Sequence, residues 1–213
     1  MSCPFDLPHY GELLDAARSG GYRFAFFDRA PEPGDVLLRH DVDMSLEAAL
    51  TMAELEAEDG VASTYFLMTQ SDFYNLDSRA GRVAVARLRE LGHRIGLHAI
   101  HPERALDGRF DPVFAWHTPD PDYMTEPVEG LVNVMQPGFF EPERYRSDSN
   151  RHWRSGCPHD ELAQGSFEWL QLLVHPEIWV YPGGTMREKM ASMLEAEQEL
   201  RWRQLAENRI DLS

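Results

Sequence analysis

The sequence predicts an α/β fold, one domain with a mostly parallel sheet or barrel. Short apolar stretches typical of buried strands alternate with longer stretches whose apolar residues recur at helical spacing. The chain has 213 residues, which suits one domain, so we assign 1–213 to a single domain. Hydrophobic residues make up 43% of the chain, which is enough for a packed core and excludes a disordered or fibrous class.

Residue types and capping residues set the limits of each predicted element. The apolar runs at 36–38 and 170–174 predict strands buried on both faces. Ser45 is suited to cap a helix, and Gly60 and Gly92 follow the ends of two helices. In chain order, the predicted elements are a helix at 11–20, an extended segment at 22–27, a strand at 36–38, a helix at 45–58, a strand at 63–68, a helix at 79–91, strands at 94–97, 113–116, 132–134 and 144–147, a helix at 158–167, a strand at 170–174 and a helix at 185–208.

Charge and cysteine content limit the partners and the compartment. The formal net charge of −16 repels nucleic acid and anionic membrane surfaces, so we expect neither as a partner. Cys3 and Cys157 are too few for a secreted disulfide framework. The N-terminal residues lack a signal-peptide pattern, and no apolar run reaches the roughly 18 residues that span a bilayer. These features predict a soluble, cytoplasmic protein.

Polar clusters follow five of the predicted strands, at the point where each strand ends. In parallel α/β folds, ligands bind at the carboxyl ends of the strands. We therefore expect one site there. The clusters are His40-Asp41-Val42-Asp43, His98, His117-Thr118, Ser147-Asp148-Ser149 and His175.

The first two clusters carry the residue types of a metal site. Asp41 and Asp43 would point to one side of an extended chain, where one carboxylate can bind a cation and the other can accept a proton. Alternatively, Asp43 is a carboxylate at a helix N-terminus. His98 and His101 offer imidazoles, and two histidines with one carboxylate suit zinc while leaving open positions.

The later clusters suggest substrate binding and acid catalysis. His117, beside Trp116, could bind a sugar, position the base or bind the metal. Asp148 and Arg154 form part of a polyol-binding surface, or else an ion pair in a solvated turn. His175 ends the most apolar strand and suits a general acid, with a hydrogen-bonded core histidine as the alternative. No phosphate-binding loop and no Gly-x-Ser-x-Gly motif occurs, so metal-activated water is the expected nucleophile.

Together, these motifs resemble the polysaccharide deacetylases (carbohydrate esterase family 4, with the nodulation-protein-B homology fold), in a branch with an Arg-His-Asp-Val-Asp motif. The resemblance implies a distorted, incomplete (β/α) barrel of about seven strands and metal-assisted removal of an acyl group from nitrogen or oxygen. It assigns the general base to Asp41, the general acid to His175, and the metal to Asp43 with two histidines, for which we take His98 and His101. The implied cofactor is a divalent metal. We expect zinc, with cobalt, manganese or nickel as alternatives. The matching segments, at 38–43, 63–66, 92–98, 145–149, 153–154 and 173–176, occur in order along the chain.

Three departures from the family pattern define the alternatives. Val42 separates two aspartates that are usually adjacent, His98 and His101 are one residue closer than the family's histidines, and His117 replaces an arginine. The expected activity is removal of an acyl group from an amino sugar or glycan precursor, and acetyl is the acyl group that we expect. One alternative is hydrolysis of a small non-sugar amide or cyclic amide. The other, which the altered second motif favours, is a catalytically silent carbohydrate-binding protein in glycan assembly.

Overall fold

The computed structural model describes residues 3–100, 107–118 and 120–208, and within these ranges it contains six α-helices and eight strands. In chain order, the elements are α1 (Leu7–Ser19), β1 (Arg23–Ala25), β2 (Asp35–Val42), α2 (Leu46–Glu58), β3 (Thr64–Leu67), α3 (Arg79–Glu90), β4 (Arg94–Ala99), β5 (Val113–Trp116), β6 (Val132–Asn133), β7 (Tyr145–Ser147), α4 (His159–Ala163), β8 (Leu170–Val174), α5 (Pro176–Val180) and α6 (Met186–Glu207). None of the described helices is long and apolar enough to cross a membrane.

The strands form one curled, parallel half-barrel. Seven of them lie in the order β6-β5-β4-β3-β2-β8-β7, and the short β1 pairs with the first residues of β2. Every strand pairing is parallel, so the carboxyl ends of the strands meet at one edge. The prediction of an α/β fold compatible with an incomplete barrel is confirmed.

Strand β2 lies inside the sheet, between β3 and β8, and its side chains alternate between two buried faces. Val36 and Leu38 belong to the apolar cluster that includes α1, whereas Leu37 packs with Phe66 on the other face. Because side chains two residues apart share a face, Arg39 and Asp41 lie on the face of Leu37. The strand thus leads from an apolar core directly into a pair of charged residues.

A glycine in β4 allows close packing on the face that carries His98. A Cβ atom at Gly96 would lie 2.4 Å from Cε1 of Phe66, so a larger residue would displace that ring. Phe66 is fully buried and contacts Phe27 edge to face. Since His98 follows Gly96 by two residues, its imidazole shares this face.

The start of α2 agrees with the predicted capping. Ser45 precedes α2, and its hydroxyl accepts a hydrogen bond from the backbone N–H of Ala48 at 3.1 Å. Helix α6 begins with a capping box between Thr185 and Glu188. The five-residue helix α5, which starts directly after His175, was not predicted, because it is too short to show helical periodicity.

Candidate functional site

The ends of five strands place the predicted polar clusters at one edge of the half-barrel. Asp43 follows β2, His98 lies near the end of β4, and His117 follows β5. Ser147 ends β7, and His175 follows β8. These residues therefore lie at the same edge of the sheet, where the sequence analysis expected them.

Asp43, His98 and His117 form a compact triad of potential metal ligands. The His98 Nε2 atom lies 3.0 Å from Asp43 Oδ1 and 3.0 Å from His117 Nδ1. The third side of the triangle, from His117 Nδ1 to Asp43 Oδ1, measures 3.4 Å. Bonds of about 2.0–2.1 Å at a tetrahedral zinc ion put donor atoms about 3.3 Å apart, so the triad has the right size.

The surroundings of the triad orient its donor atoms. The Nδ1–H of His98 can donate to the carbonyl oxygen of Ala115 at 3.2 Å, which leaves a lone pair on Nε2. Asp43 Oδ1 is buried and has no hydrogen-bond partner among the described residues. An orphaned carboxylate oxygen facing two imidazole nitrogens fits a divalent cation, which would satisfy all three groups.

The electrostatics of the triad favour an ionised carboxylate. Burial raises the pKa of Asp43, but the neighbouring rings of His117 and His98 outweigh burial and hold this pKa well below the ordinary carboxyl range. The pKa of His117 is raised, chiefly by its contact with Asp43. Asp43 is thus ready to bind a cation at neutral pH.

The triad contains two of the three predicted metal ligands. Asp43 and His98 lie together, as the sequence predicted. His117 completes the triad, although we expected it to contact substrate and treated metal binding as one of its alternatives. His101, the other predicted ligand, lies outside the described residues.

Asp41 lies beside the triad and is held by an arginine from its own strand. Arg39 donates from Nε to Asp41 Oδ1 at 2.7 Å and from Nη2 to Oδ2 at 2.6 Å. Burial raises the pKa of Asp41, but the charge of Arg39 outweighs burial, and the pKa lies below its ordinary value. The Oδ2 atom is also 3.7 Å from Nε2 of His98. Asp41 is therefore an ionised carboxylate with lone pairs left to accept a proton.

Arg39 was missed as a site residue in the sequence, although it stands within the Arg-His-Asp-Val-Asp motif. Its side chain is fully buried and also donates to Oε1 of Gln171 at 3.2 Å. The available signal was a charged residue in a strand that is otherwise apolar on both faces. A buried charge requires a partner, and the nearest carboxylate on the same face is Asp41.

His175 is paired with Asp148. The Nδ1–H of His175 donates to Asp148 Oδ1 at 2.6 Å, and its backbone N–H donates to Oδ2 at 3.0 Å. Burial lowers the pKa of His175, but Asp148 outweighs burial and raises the pKa to about 10. At neutral pH His175 is a charged imidazolium whose second ring nitrogen carries a proton.

The predicted substrate-binding residues differ in burial and in their contacts. Asp148 is fully buried, and besides His175 it accepts a hydrogen bond from Nε1 of Trp179 at 2.7 Å, so it holds His175 rather than facing solvent. Arg154 is exposed. Trp116 is half-buried, and its ring meets Tyr123 edge to face.

A buried polar network beneath the edge holds β2 against its helices. His40 stacks on Tyr65 with ring centroids 4.1 Å apart, and its Nε2 lies 2.6 Å from Oε1 of Glu56. Glu56 also accepts hydrogen bonds from Ser63 and Tyr10. His40 is thus a packed structural ring.

Comparisons with known proteins add no relative. A scan of family models, a search of curated proteins and a search of solved structures each give no match to this chain.

Proposed function

We propose that this chain is a metal-dependent hydrolase that removes an acyl group, acetyl first, from the nitrogen or oxygen of an amino sugar or glycan precursor. The observation that carries the proposal is the triad of Asp43, His98 and His117, which lies at the same strand edge as a carboxylate and a charged histidine. These are the groups that metal-assisted acyl hydrolysis requires.

The triad is suited to zinc, with cobalt, manganese or nickel as alternatives. One carboxylate and two imidazoles are a common catalytic ligand set, because they leave a position open for water or substrate. When bound, the metal supplies a Lewis acid that polarises the acyl carbonyl group and lowers the pKa of water.

Asp41 is proposed as the proton acceptor. It is ionised, and its Oδ2 lies 3.7 Å from a triad nitrogen, so water near the triad is within reach of its free lone pairs. The two bonds from Arg39 fix the plane of the carboxylate. The pairing with Arg39 also makes Asp41 a weaker base. Proton transfer to Asp41 is therefore easier from a water molecule whose pKa the metal would lower.

His175 is proposed as the proton donor to the leaving amine or alkoxide. Asp148 occupies Nδ1 and stabilises the charged ring, so the proton available for transfer is the one on Nε2. The charge of His175 also lowers the pKa values of Asp41 and Asp43. Acid and base thus stand at the same edge in opposite protonation states, as hydrolysis requires.

Hydrolysis of a small non-sugar amide or cyclic amide is the second candidate. The burial of Asp148 favours it, because only Trp116, His117 and Arg154 of the predicted sugar contacts reach the surface, and His117 belongs to the triad. The two candidates share all the chemistry and differ only in substrate.

Acyl release from a substrate panel tests the proposal. The panel contains N-acetyl sugars, O-acetyl sugars, simple amides and cyclic amides, each incubated with metal-free and zinc-loaded protein. We expect release only with zinc, and loss of release in Asp41→Asn at unchanged zinc content. If the zinc-loaded protein cleaves no substrate, or if Asp41→Asn is fully active, the proposal is wrong. Zinc binding without turnover, together with binding of sugars, would instead favour the silent carbohydrate-binding alternative.

A further inference from the structure

A second cluster of potential metal ligands lies away from the strand edge. Cys3 and Cys157 are the only cysteines of the chain, and the fold brings them together with His9. The three ligand atoms all lie within 4.8 Å of one another, and Nε2 of His9 is 3.2 Å from Sγ of Cys157. Because the two thiols come from distant segments, their meeting at an imidazole is a property of the tertiary fold.

Neighbouring groups orient this cluster as they orient ligands in metal sites. The Nδ1–H of His9 donates to Oε2 of Glu12 at 2.7 Å, so the lone pair on Nε2 points toward the thiols. Nε1 of Trp153 donates to Sγ of Cys3 at 3.4 Å, a contact that favours the thiolate form. A histidine held by a carboxylate, with its other nitrogen on a metal, is a recurrent arrangement in zinc sites.

The donor types select the ion. Two thiolates and one imidazole are soft and borderline ligands, which suit zinc and disfavour magnesium and calcium. The half-buried cysteines leave the fourth position of a tetrahedral ion to water or to a small ligand. Two thiolates also balance the charge of one Zn²⁺ ion.

We propose that Cys3, His9 and Cys157 bind a zinc ion at a site separate from the triad at the strand edge. The ring centroid of Trp179 is 6.4 Å from that of His9, and its Nε1 donates to Asp148, the partner of His175. The ion links the segment before α1 to the segment before α4, and these two helices pack on each other. Its binding free energy adds to the stability of the fold.

Cobalt titration of the reduced, metal-free protein tests this site directly. Thiolate ligands give cobalt an intense near-ultraviolet charge-transfer band, and the triad of Asp43, His98 and His117 contains no sulfur. We expect the band to appear within the first two equivalents of cobalt, since the triad can take one of them, and zinc to abolish it. Zinc should also protect both thiols from alkylation. The absence of the band in the wild-type protein overturns the proposal without any variant.

Matched variants separate the two sites by zinc content. We expect two zinc ions in the wild type and one each in Cys157→Ser and His98→Ala, with the cobalt band lost in the first variant and kept in the second. His9→Gln keeps both thiols and should lower zinc affinity by at least about 100-fold. A band that persists in Cys157→Ser overturns the assignment. Protein isolated without reductant that holds a Cys3–Cys157 disulfide and no zinc at this site would show a redox pair instead. Because the band reports only this cluster, it stays informative if the proposed hydrolase activity fails.

Discussion

Replacing Asp148 by Asn tests the acid–base assignment. The amide keeps the shape of the carboxylate but removes the charge that stabilises the imidazolium of His175. It also keeps only one acceptor oxygen for the three donors that Asp148 now satisfies: the backbone N–H of His175, its Nδ1–H and the indole N–H of Trp179. Oδ2 now accepts from both the backbone N–H of His175 and Trp179, so an amide oxygen in its place keeps these two bonds and leaves the Nδ1–H of His175 without an acceptor.

The structure gives the size of the expected change. The pKa of His175 is raised from 6.5 to about 10, a preference for the charged ring on the order of 5 kcal/mol. Burial, the largest single influence, lowers this pKa and remains in the variant. Without the charge of Asp148, we therefore expect the pKa to fall to near or below 6.5.

The sign of the effect on stability follows from linkage. Because the folded pKa lies above the unfolded one, the pair stabilises the wild type fully below pH 6.5, and this stabilisation is lost as pH rises toward about 10. The variant should therefore lose stability most at low pH and should have a flatter profile between pH 6.5 and 10. If His175 is the general acid, turnover at pH 7.5 should also fall by about 10² to 10⁴ and recover in part at lower pH.

Two measurements check this expectation on the metal-free protein. One is an NMR titration of the histidine ring signals, and the other is the free energy of unfolding measured from pH 5 to pH 10. Asp160→Asn is the matched control, because Asp160 pairs with the half-exposed His159 at 3.0 Å and is itself exposed. We expect the control to change stability by less than about 0.5 kcal/mol. A pKa for His175 that stays near 10 in Asp148→Asn would refute the reasoning.

Three further substitutions test other parts of the structure. His117→Ala should lower zinc affinity at the triad by more than about 100-fold in chelator competition, whereas unchanged affinity would remove His117 from the site. Burial raises the pKa of Glu177 to about 8, so its ionised form destabilises the folded protein. As pH rises from 4.5 through about 8, the free energy of unfolding should therefore fall in the wild type relative to Glu177→Gln. Equal pH profiles of the two proteins would contradict this. Glu56→Gln should cost about 3–5 kcal/mol in chemical denaturation, since it breaks a buried network, while the exposed control Glu54→Gln should cost less than about 0.5 kcal/mol.

The sequence predicted the fold class well because the alternation of strands and helices is strong. The strands at 113–116 and 170–174 and the N-cap of α2 agree with the structure. Strand β2 was predicted at 36–38 but extends through Val42, because buried polar residues interrupt the apolar pattern by which a strand is recognised. These polar residues, Arg39, His40 and Asp41, belong to the candidate site or support it. The strand boundary was therefore predicted wrongly at the residues where the sheet buries charged side chains.

The rule that ligands bind at strand ends predicted the location of the site but not its pairings. That His117 joins His98 depends on the pairing of β4 with β5, where His98 lies opposite Ala115. The contact between Asp148 and His175 depends in the same way on the pairing of β7 with β8. Such contacts between strands cannot be obtained from spacing within a single motif.

The acidic side chains at this edge differ in whether a positive charge is paired with them. Two acidic residues there have a compensating partner: Arg39 binds Asp41, and Asp148 is paired with the charged His175. Asp43 has only ring nitrogens beside it, and the Oε2 atom of the buried Glu177 has no hydrogen-bond partner in the described chain.

After burial and the opposing effect of His175, the next influence on Glu177 is the negative charge of Asp43, which adds to the rise of its pKa to about 8. Above about pH 8, where Glu177 is ionised, the edge therefore carries more negative charge than Arg39 and His175 neutralise. A divalent cation held by Asp43, His98 and His117 would correct this imbalance. It would also lower the pKa of Glu177, so zinc should shift the titration of Glu177 to lower pH if the triad is its site.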